Sequence, residues 1–170
     1  APVTFLEGEP LASGETDRFF LPQTSASSAS LYEHCALALD CSLEQMGDMG
    51  LPLIGSGDWN DGMNRVGEQG RGQSVWLGWM LLASLERFIA LAARRNCPRA
   101  RRWQQAYLQL QSALETHAWD GQWYRRATFD DGTWLGADGN QECRIDSIAQ
   151  SWAVLSCAAR ACPAGHERSQ

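Results

Sequence analysis

The sequence has no lysine, because all 14 of its basic residues are arginine. A chain without lysine cannot use a Schiff-base lysine or the lysine of a phosphate-binding P-loop, so both chemistries are excluded within it. With 20 acidic residues the formal net charge is −6, and no basic stripe is present. Nucleic acid is therefore an unsuitable partner, since binding to the phosphate backbone requires clustered positive charge.

Metal-ligand spacing is lacking as well. The six cysteines include no CxxC pair, and the three histidines lie far apart in the chain, so we expect no zinc or other metal site. Cys35, Cys157 and Cys162 occur in Ala-rich, helix-like surroundings, where a free thiol behaves as a small apolar residue. The sequence favours free thiols in a reducing compartment over a set of disulfides.

Long apolar runs are also missing. No segment reaches the roughly 18 uninterrupted apolar residues of a membrane span, and the start has no signal-peptide pattern. We therefore expect no membrane span in this chain. Its 170 residues, 44% hydrophobic and 20% charged, indicate a globular fold with a sizeable core. The chain starts with Ala1 rather than Met, and we expect it to be a segment of a longer protein.

The spacing of apolar residues predicts an all-α fold with one small β-hairpin. Residues 1–24 contain three prolines and are expected to be irregular. Ser30 and Glu33 form a capping-box pattern in the first predicted helix. Helices are predicted over residues 25–46, 74–95, 99–118 and 145–161.

The helix at 74–95 is apolar on almost every side, so we expect it to be more buried than the helix at 99–118. A tight link at Pro98 joins the two as an αα-hairpin, and at least two such hairpins are expected. Repeated hairpins of this kind build α/α barrels. Residues 123–135 read as a short β-hairpin with its turn at Asp131-Gly132.

Residues 51–73 form a long polar loop with six glycines. Its apolar residues, among them Ile54 and Val66, indicate that the loop is ordered and packed rather than mobile. The centre of the loop, residues 57–64, reads Gly-Asp-Trp-Asn-Asp-Gly-Met-Asn and contains two carboxylates, two amides and an indole.

Three interpretations of this centre are open from the residues alone. Asp, Asn and Gly are the usual residues of a simple turn. A sugar or acid–base site is the second interpretation, because a neighbouring carboxylate and an indole raise the pKa of a proton-donating carboxyl. A calcium loop is the third, although Gly62 and Met63 occupy positions where an EF-hand loop needs an oxygen ligand and a glycine.

A second polar cluster leads into the last predicted helix. Acids and amides suit the N-terminus of a helix, and this is the plain interpretation of the cluster. The alternative is that some of these side chains contact a ligand. The members of the cluster are Asn140, Glu142, Arg144, Asp146, Gln150 and Ser151.

Five segments between Phe5 and Ser156 carry a family resemblance. They read LPLIGSGDWNDGMN at 51–64, SVWLGW at 74–79, LYEHC at 31–35, WDGQWYRRA at 119–127 and ECRIDSIAQSW at 142–152. Together they resemble glycoside hydrolase family 94, the cellobiose and chitobiose phosphorylases. Within that family they are most similar to the domain at the C-terminal end of cyclic β-1,2-glucan synthases.

The resemblance implies that residues 1–170 belong to one catalytic domain, an (α/α)6 barrel. It implies that Asp61 is the general acid and that Trp59 lines the sugar subsite. Because phosphate is already an anionic nucleophile, one decisive carboxyl is sufficient for phosphorolysis. Further substrate-binding residues are predicted at Asp58, Asn60, Glu142, Arg144 and Gln150.

The implied reaction is inverting phosphorolysis of a β-linked glucan, with β-1,2 linkage favoured, to α-glucose 1-phosphate. Inorganic phosphate is then a co-substrate and no cofactor is needed. The alternatives are an inverting glucan hydrolase on the same barrel and a non-catalytic carbohydrate-binding scaffold. The resemblance also implies a cytoplasmic domain of a parent protein that is anchored in the bacterial inner membrane.

In the family, the phosphate-binding histidine and Thr-Gly pair lie C-terminal to these segments. We therefore expect the 170-residue chain to be inactive alone. We also expect it to self-associate through exposed barrel faces.

Overall fold

The computed structural model describes residues 2–15, 18–58 and 60–159, without the side chain of Asp61. The chain divides into two compact units, Ala1–Cys41 and Ser42–Gln170. That residues 1–170 belong to a single barrel domain stays a prediction. The strands and helices are, in order, β1 Pro2–Glu7, β2 Gln23–Ser30, α1 Leu31–Glu44, α2 Val75–Arg94, α3 Arg99–Ala113, β3 Ala127–Thr128, β4 Trp134–Leu135 and α4 Ser147–Leu155. A π-helical turn, Leu114–Ala118, continues α3, so the helical stretch ends at residue 118 as predicted.

The first unit contains an antiparallel ribbon of β1 and β2, in which Val3 lies opposite Ala29. The prediction that residues 1–24 are irregular and that a helix begins at residue 25 is wrong here. Both strands expose most of their residues, so no alternation of apolar and polar residues marks them in the sequence. The expected cap is confirmed, since the Glu33 backbone N–H donates to Ser30 Oγ at 3.2 Å.

In the second unit α2 and α3 form the predicted αα-hairpin. Ser74 caps α2 by accepting from the Leu77 backbone N–H. The expected order of burial is confirmed: eight residues of α2 are buried, against three of α3. Trp79 and Leu82 of α2 are fully buried, and burial of each such side chain contributes about 1.5–3 kcal/mol. Among the described residues this is the one tightly linked αα-hairpin, where at least two were expected.

By length and composition α2 could also cross a membrane, with a mean hydropathy of 1.5 in its most apolar window. The helix meets this criterion although Glu86 and Arg87 interrupt its apolar residues. The packing of α2 against α3 and α4 accounts for the same composition in a core helix.

The last helix is shorter than predicted, and residues 160–161 of that prediction lie outside the described part. Asp146 caps α4 with its carboxylate, which accepts from the Ile148 backbone N–H at 2.8 Å. Beyond the helix, the buried Gln111 side chain of α3 donates to the Ala158 carbonyl at 2.7 Å. Polar side chains therefore fix both ends of α4.

Short extended segments pair with one another at the two ends of the long loop and at the β-hairpin, and together they form a small platform. Leu53 pairs with Gln73, Ser74 pairs with Ala127, and β3 pairs with β4. The predicted β-hairpin and its turn at Gly132 are confirmed, but the β1–β2 ribbon makes a second two-stranded element. The loop is ordered, as expected. Its apolar side chains form a buried cluster with the hairpin, made of Ile54, Met63, Val66 and Ala127.

Candidate functional site

The centre of the long loop is a succession of side-chain-to-backbone hydrogen bonds. Asp58 Oδ1 accepts from the Asn60 backbone N–H at 3.1 Å, and Asn60 Oδ1 accepts from the Gly62 backbone N–H at 3.1 Å. Short Asp and Asn side chains favour such local bonds. They lead into one turn of 3₁₀ helix, Asp61–Met63, which Asn60 caps. The turn expected from the residue types is present. Trp59 and the Asp61 side chain lie outside the described residues.

The Asp58 carboxylate faces inward, with none of its side chain exposed. Its two oxygens lie 2.8 Å and 2.7 Å from Nη2 of Arg126. Oδ2 also accepts from the Ser74 hydroxyl at 2.9 Å. Asp58 was predicted to contact sugar, but the structure engages both oxygens within the protein. Its charge compensates a buried cation, and each of its oxygens already lies within bonding distance of two protein donors.

Arg126 is fully buried between the long loop and the last helix. It lies beside β3, in a segment where Tyr124, Ala127 and Thr128 are buried as well. Its Nη1 donates to Ser74 Oγ at 3.2 Å. Its Nε lies 3.3 Å from Oδ2 of Asp146, as an ion pair without a hydrogen bond. One guanidinium thus contacts a carboxylate from the long loop and the carboxylate that caps α4.

The backbone of Gly136 passes close to the backbone of Arg126. Gly136, at φ +77, passes so close that a Cβ on it would lie 2.8 Å from the Arg126 backbone nitrogen. Such a φ also disfavours any residue with a side chain. On its other side, the guanidinium carbon lies 6.0 Å from the centroid of the Trp76 ring.

Only part of the second polar cluster, residues 140–151, contacts Arg126 or its neighbours. Gln150 bonds the Tyr124 backbone twice, accepting from its N–H at 2.9 Å and donating to its carbonyl at 2.6 Å. Arg144 is exposed and pairs with Asp138, and Glu142 is exposed. Asp146, between Arg144 and Gln150 in sequence, is the member that reaches the long loop through Arg126. Asp146 therefore links the second polar cluster to the long loop, because both Asp146 and Asp58 pair with Arg126.

Three acceptor carboxylates have a pKa below the ordinary 3.8. Desolvation raises the pKa of Asp130, but hydrogen bonds from the Gln69, Arg71 and Gly72 backbone N–H groups lower it by more, so the net shift is downward. These N–H groups lie 2.8, 2.8 and 2.9 Å from its oxygens. Asp120, partly desolvated, and Asp131 have a lowered pKa because backbone N–H groups donate to them. All three carboxylates hold turns together rather than facing the loop centre.

In the described part of the chain, no three His, Cys, Asp or Glu side chains are grouped so that they could hold a metal ion. The cysteines described there are free thiols at 35, 41, 97, 143 and 157. A cavity of about 550 Å³ lies beside the platform, where Arg71 and Phe129 contribute to its lining. None of the predicted substrate-binding residues within the described part of the chain lines that cavity.

Sequence reasoning missed Arg126, the residue on which the arrangement depends. The Arg125-Arg126 pair reads as a surface charge, since arginine is almost never fully buried unless it is paired. One signal was available: in an extended segment, the period of two places Arg126 on the same side as Tyr124 and Thr128. An arginine on the inner side of a strand requires a buried carboxylate.

Comparison with known proteins identifies the family. The model of the glycosyl hydrolase 94 superfamily, catalytic domain, matches residues 3–166. A cyclic beta-(1,2)-glucan synthase, NdvB, of Rhizobium meliloti is 52% identical over 91% of this chain and 6% of its own length. A 3-O-beta-D-glucopyranosyl-beta-D-glucuronide phosphorylase of Paenibacillus borealis is 34% identical over 78% of this chain and 17% of its own length.

An N,N'-diacetylchitobiose phosphorylase of Vibrio furnissii is also 34% identical, over 80% of this chain. The match covers 17% of that phosphorylase. The chain thus spans less than a fifth of the length of these relatives.

Proposed function

The chain belongs to the glycosyl hydrolase 94 superfamily, and on this premise we propose that it supplies the acid-bearing loop of a β-glucan phosphorylase-type domain. The proposed reaction is inverting phosphorolysis of a β-linked glucan, with β-1,2 linkage favoured by the 52% identity to a cyclic beta-(1,2)-glucan synthase. The products are α-glucose 1-phosphate and the shortened glucan. Inorganic phosphate is the co-substrate, and no cofactor takes part.

In the proposed step, a phosphate oxygen attacks the anomeric carbon from the face opposite the glycosidic oxygen. The bond from that carbon to the glycosidic oxygen breaks, and its electron pair stays on the oxygen. The Asp61 carboxyl gives its proton to this oxygen as it departs, and so acts as the general acid. A second carboxyl is not needed to activate the nucleophile, because phosphate is already an anion.

The observation that carries this proposal is the hydrogen-bond succession from Asp58 through Asn60 to Gly62. It fixes the backbone of the turn in which Asp61 lies, and a general acid must be held in place to protonate a departing oxygen. Asn60 and Gly62 are exposed, so this turn lies at the surface. Asp58, being buried, supports the turn from within rather than contacting sugar.

The other predicted sugar contacts remain part of the proposal. Trp59 would provide a flat apolar face for a sugar ring. Glu142 and Arg144, both exposed, are available to a ligand. Gln150 already bonds the Tyr124 backbone, so its contact with sugar requires its remaining acceptor capacity.

The test uses the complete polypeptide in which this sequence occurs, supplied with β-1,2-linked glucan oligosaccharides. We expect glucose 1-phosphate to form only when phosphate is present. Asp61→Asn should lower the rate about 10²–10⁴-fold, because the proton donor is lost. Glu68→Gln is the matched control, since it removes an exposed carboxylate from the same loop.

Other outcomes would decide against the proposal. Release of free glucose regardless of phosphate identifies a hydrolase. Oligosaccharide binding without turnover identifies a carbohydrate-binding scaffold. A normal rate in Asp61→Asn removes the acid from this position.

We also propose that the parent protein has this domain in the cytoplasm and that the 170-residue chain forms no glucose 1-phosphate alone. The chain spans 6% of the length of its glucan synthase relative, and large apolar side chains such as Val154 and Leu155 are exposed on α4. We expect self-association of the isolated chain, visible as concentration-dependent mass in light scattering. A monomer with steady glucose 1-phosphate formation would contradict both expectations.

A further inference from the structure

We propose that Arg126 is the positioning residue for the general acid, because one buried guanidinium holds the start of the acid-bearing turn and the start of α4 together. The inference rests on the proposed role of Asp61 and adds to it. Arg126 does not touch the reacting atoms. It acts through Asp58 on the backbone of the Asp61–Met63 turn, and through Asp146 on the segment that contains Glu142 and Arg144.

The contacts form a continuous path from Arg126 to the turn. Nη2 of Arg126 lies within 2.8 Å of both oxygens of Asp58, and Oδ1 of Asp58 accepts from the Asn60 backbone N–H. The Asn60 side chain then accepts from the Gly62 backbone N–H. A shift of the guanidinium would therefore move Asp58 and, through it, the backbone on both sides of residue 61.

Arginine suits this position better than lysine would. Its planar guanidinium carries donors in fixed directions: here Nη2 donates to Asp58 and Nη1 donates to Ser74, while Nε is paired with Asp146 by charge alone. A lysine ammonium is a single point charge on a flexible stem and cannot reach the three partners in the same geometry. Replacement by lysine should keep the buried charge and lose the alignment.

Misplacement of the acid has a kinetic signature that general loss of structure lacks. A sugar alkoxide leaves only when it is protonated, so its departure depends on the exact position of Asp61. A dinitrophenolate leaves without a proton, so the cleavage of a dinitrophenyl β-glucoside does not need the acid. A defect in positioning therefore slows the oligosaccharide reaction and spares the aryl glycoside.

The experiment compares kcat and KM for phosphorolysis of the two substrates by the complete polypeptide that contains this sequence. For Arg126→Lys we expect kcat on the oligosaccharide to fall about 10²-fold, with KM changed less than about threefold. On the aryl glycoside kcat should fall less than about threefold. Arg125→Lys is the matched control. The neighbouring Arg125 donates to the His117 carbonyl and packs on Trp134, apart from Asp58, so both rates should be preserved.

Asp146→Asn serves as a second variant in case Arg126→Lys does not fold. The asparagine keeps a cap oxygen for the Ile148 N–H but removes the charge facing Nε of Arg126. We expect the same dependence on leaving group with a smaller loss, about tenfold.

The two proposals fail in different ways. Equal losses on both substrates in Arg126→Lys and in Asp146→Asn, or no loss in either, would overturn the positioning role. If Asp61→Asn nevertheless spares the aryl glycoside, the proposed acid stands and only the role of Arg126 is lost. If Asp61→Asn shows no dependence on the leaving group, the proposed function itself fails.

Discussion

The centre and the C-terminal end of the long loop are each fixed by a carboxylate, but in opposite ways. At residues 57–62 the carboxylate, Asp58, belongs to the loop, is fully buried and binds a side-chain cation. At residues 69–72 the carboxylate, Asp130, comes from the β-hairpin, is only partly buried and binds three backbone N–H groups. The first arrangement depends on Arg126, whereas the second depends on the path of the backbone.

This difference determines how each part of the loop responds to change. A buried ion pair has balanced charges, and removal of one partner leaves the other uncompensated in a poor solvent for ions. A carboxylate on backbone N–H groups loses only the charge-assisted part of its bonds when it is neutralised. The centre of the loop, which contains Asp61, is therefore held by few residues, and the C-terminal end tolerates substitution better.

The largest effect should come from Arg126→Met. The substitution leaves Asp58 and Asp146 without their cation, and loss of one partner of a buried pair costs about 3–5 kcal/mol. The free energy of unfolding can be measured by urea titration followed by tryptophan fluorescence. Arg71→Met replaces an exposed arginine at the C-terminal end of the loop. This control should change stability by less than about 0.5 kcal/mol.

A double substitution sharpens the same comparison. Arg126→Met combined with Asp58→Leu removes a buried cation and a buried anion together, so part of the stability should return. Costs that simply add would show that the two groups act independently.

A smaller effect is expected from Asp130→Asn. The amide keeps one acceptor oxygen but presents an NH₂ group to one of the three backbone N–H donors, which should cost about 1 kcal/mol. Hydrogen exchange of residues 67–73 should accelerate, while residues 57–62 should exchange as before. Asp131→Asn is the control, because the neighbouring Asp131 carboxylate accepts from the Thr133 backbone N–H and not from the long loop. Faster exchange of both residues 57–62 and residues 67–73 would contradict the view that the two parts of the loop are held independently.

The smallest effect is a dependence on pH. The pKa of Asp130 is lowered in the folded protein, so its ionised form stabilises the fold above the ordinary pKa of 3.8. That contribution is lost as the pH falls through the lowered value. The stability difference between the chain and Asp130→Asn should therefore shrink when the pH falls from 5 to below about 3.5. A difference that is constant over this range would show that the charge of Asp130 is not involved.

The sequence predicted those parts of the fold that local signals specify. The apolar helix α2, the hairpin at Gly132 and the cap at Ser30 each depend on residues close together in the chain, and each is present. The β1–β2 ribbon was missed because its pairing joins distant residues, and exposed serines in β2 give no apolar alternation.

The site was predictable only in part, for the same reason. The polar centre of the loop and its turn follow from Asp58, Asn60 and Gly62, which are neighbours in sequence. That Asp58 faces inward follows from Arg126, 68 residues further along, and no local pattern joins the two. A charged residue with a distant buried partner looks like a surface residue until the fold brings the two together.

That separation of 68 residues also sets an order of events during synthesis. At about 5–20 residues per second, Arg126 is made roughly 3–14 s after Asp58, and Asp146 follows later. During this interval the centre of the long loop has none of its buried charge contacts, so a ribosome-bound chain ending before residue 126 should be cleaved readily by protease within residues 57–64. Protection should begin only after both later residues have emerged, which makes residues 57–64 one of the last parts of the chain to become ordered.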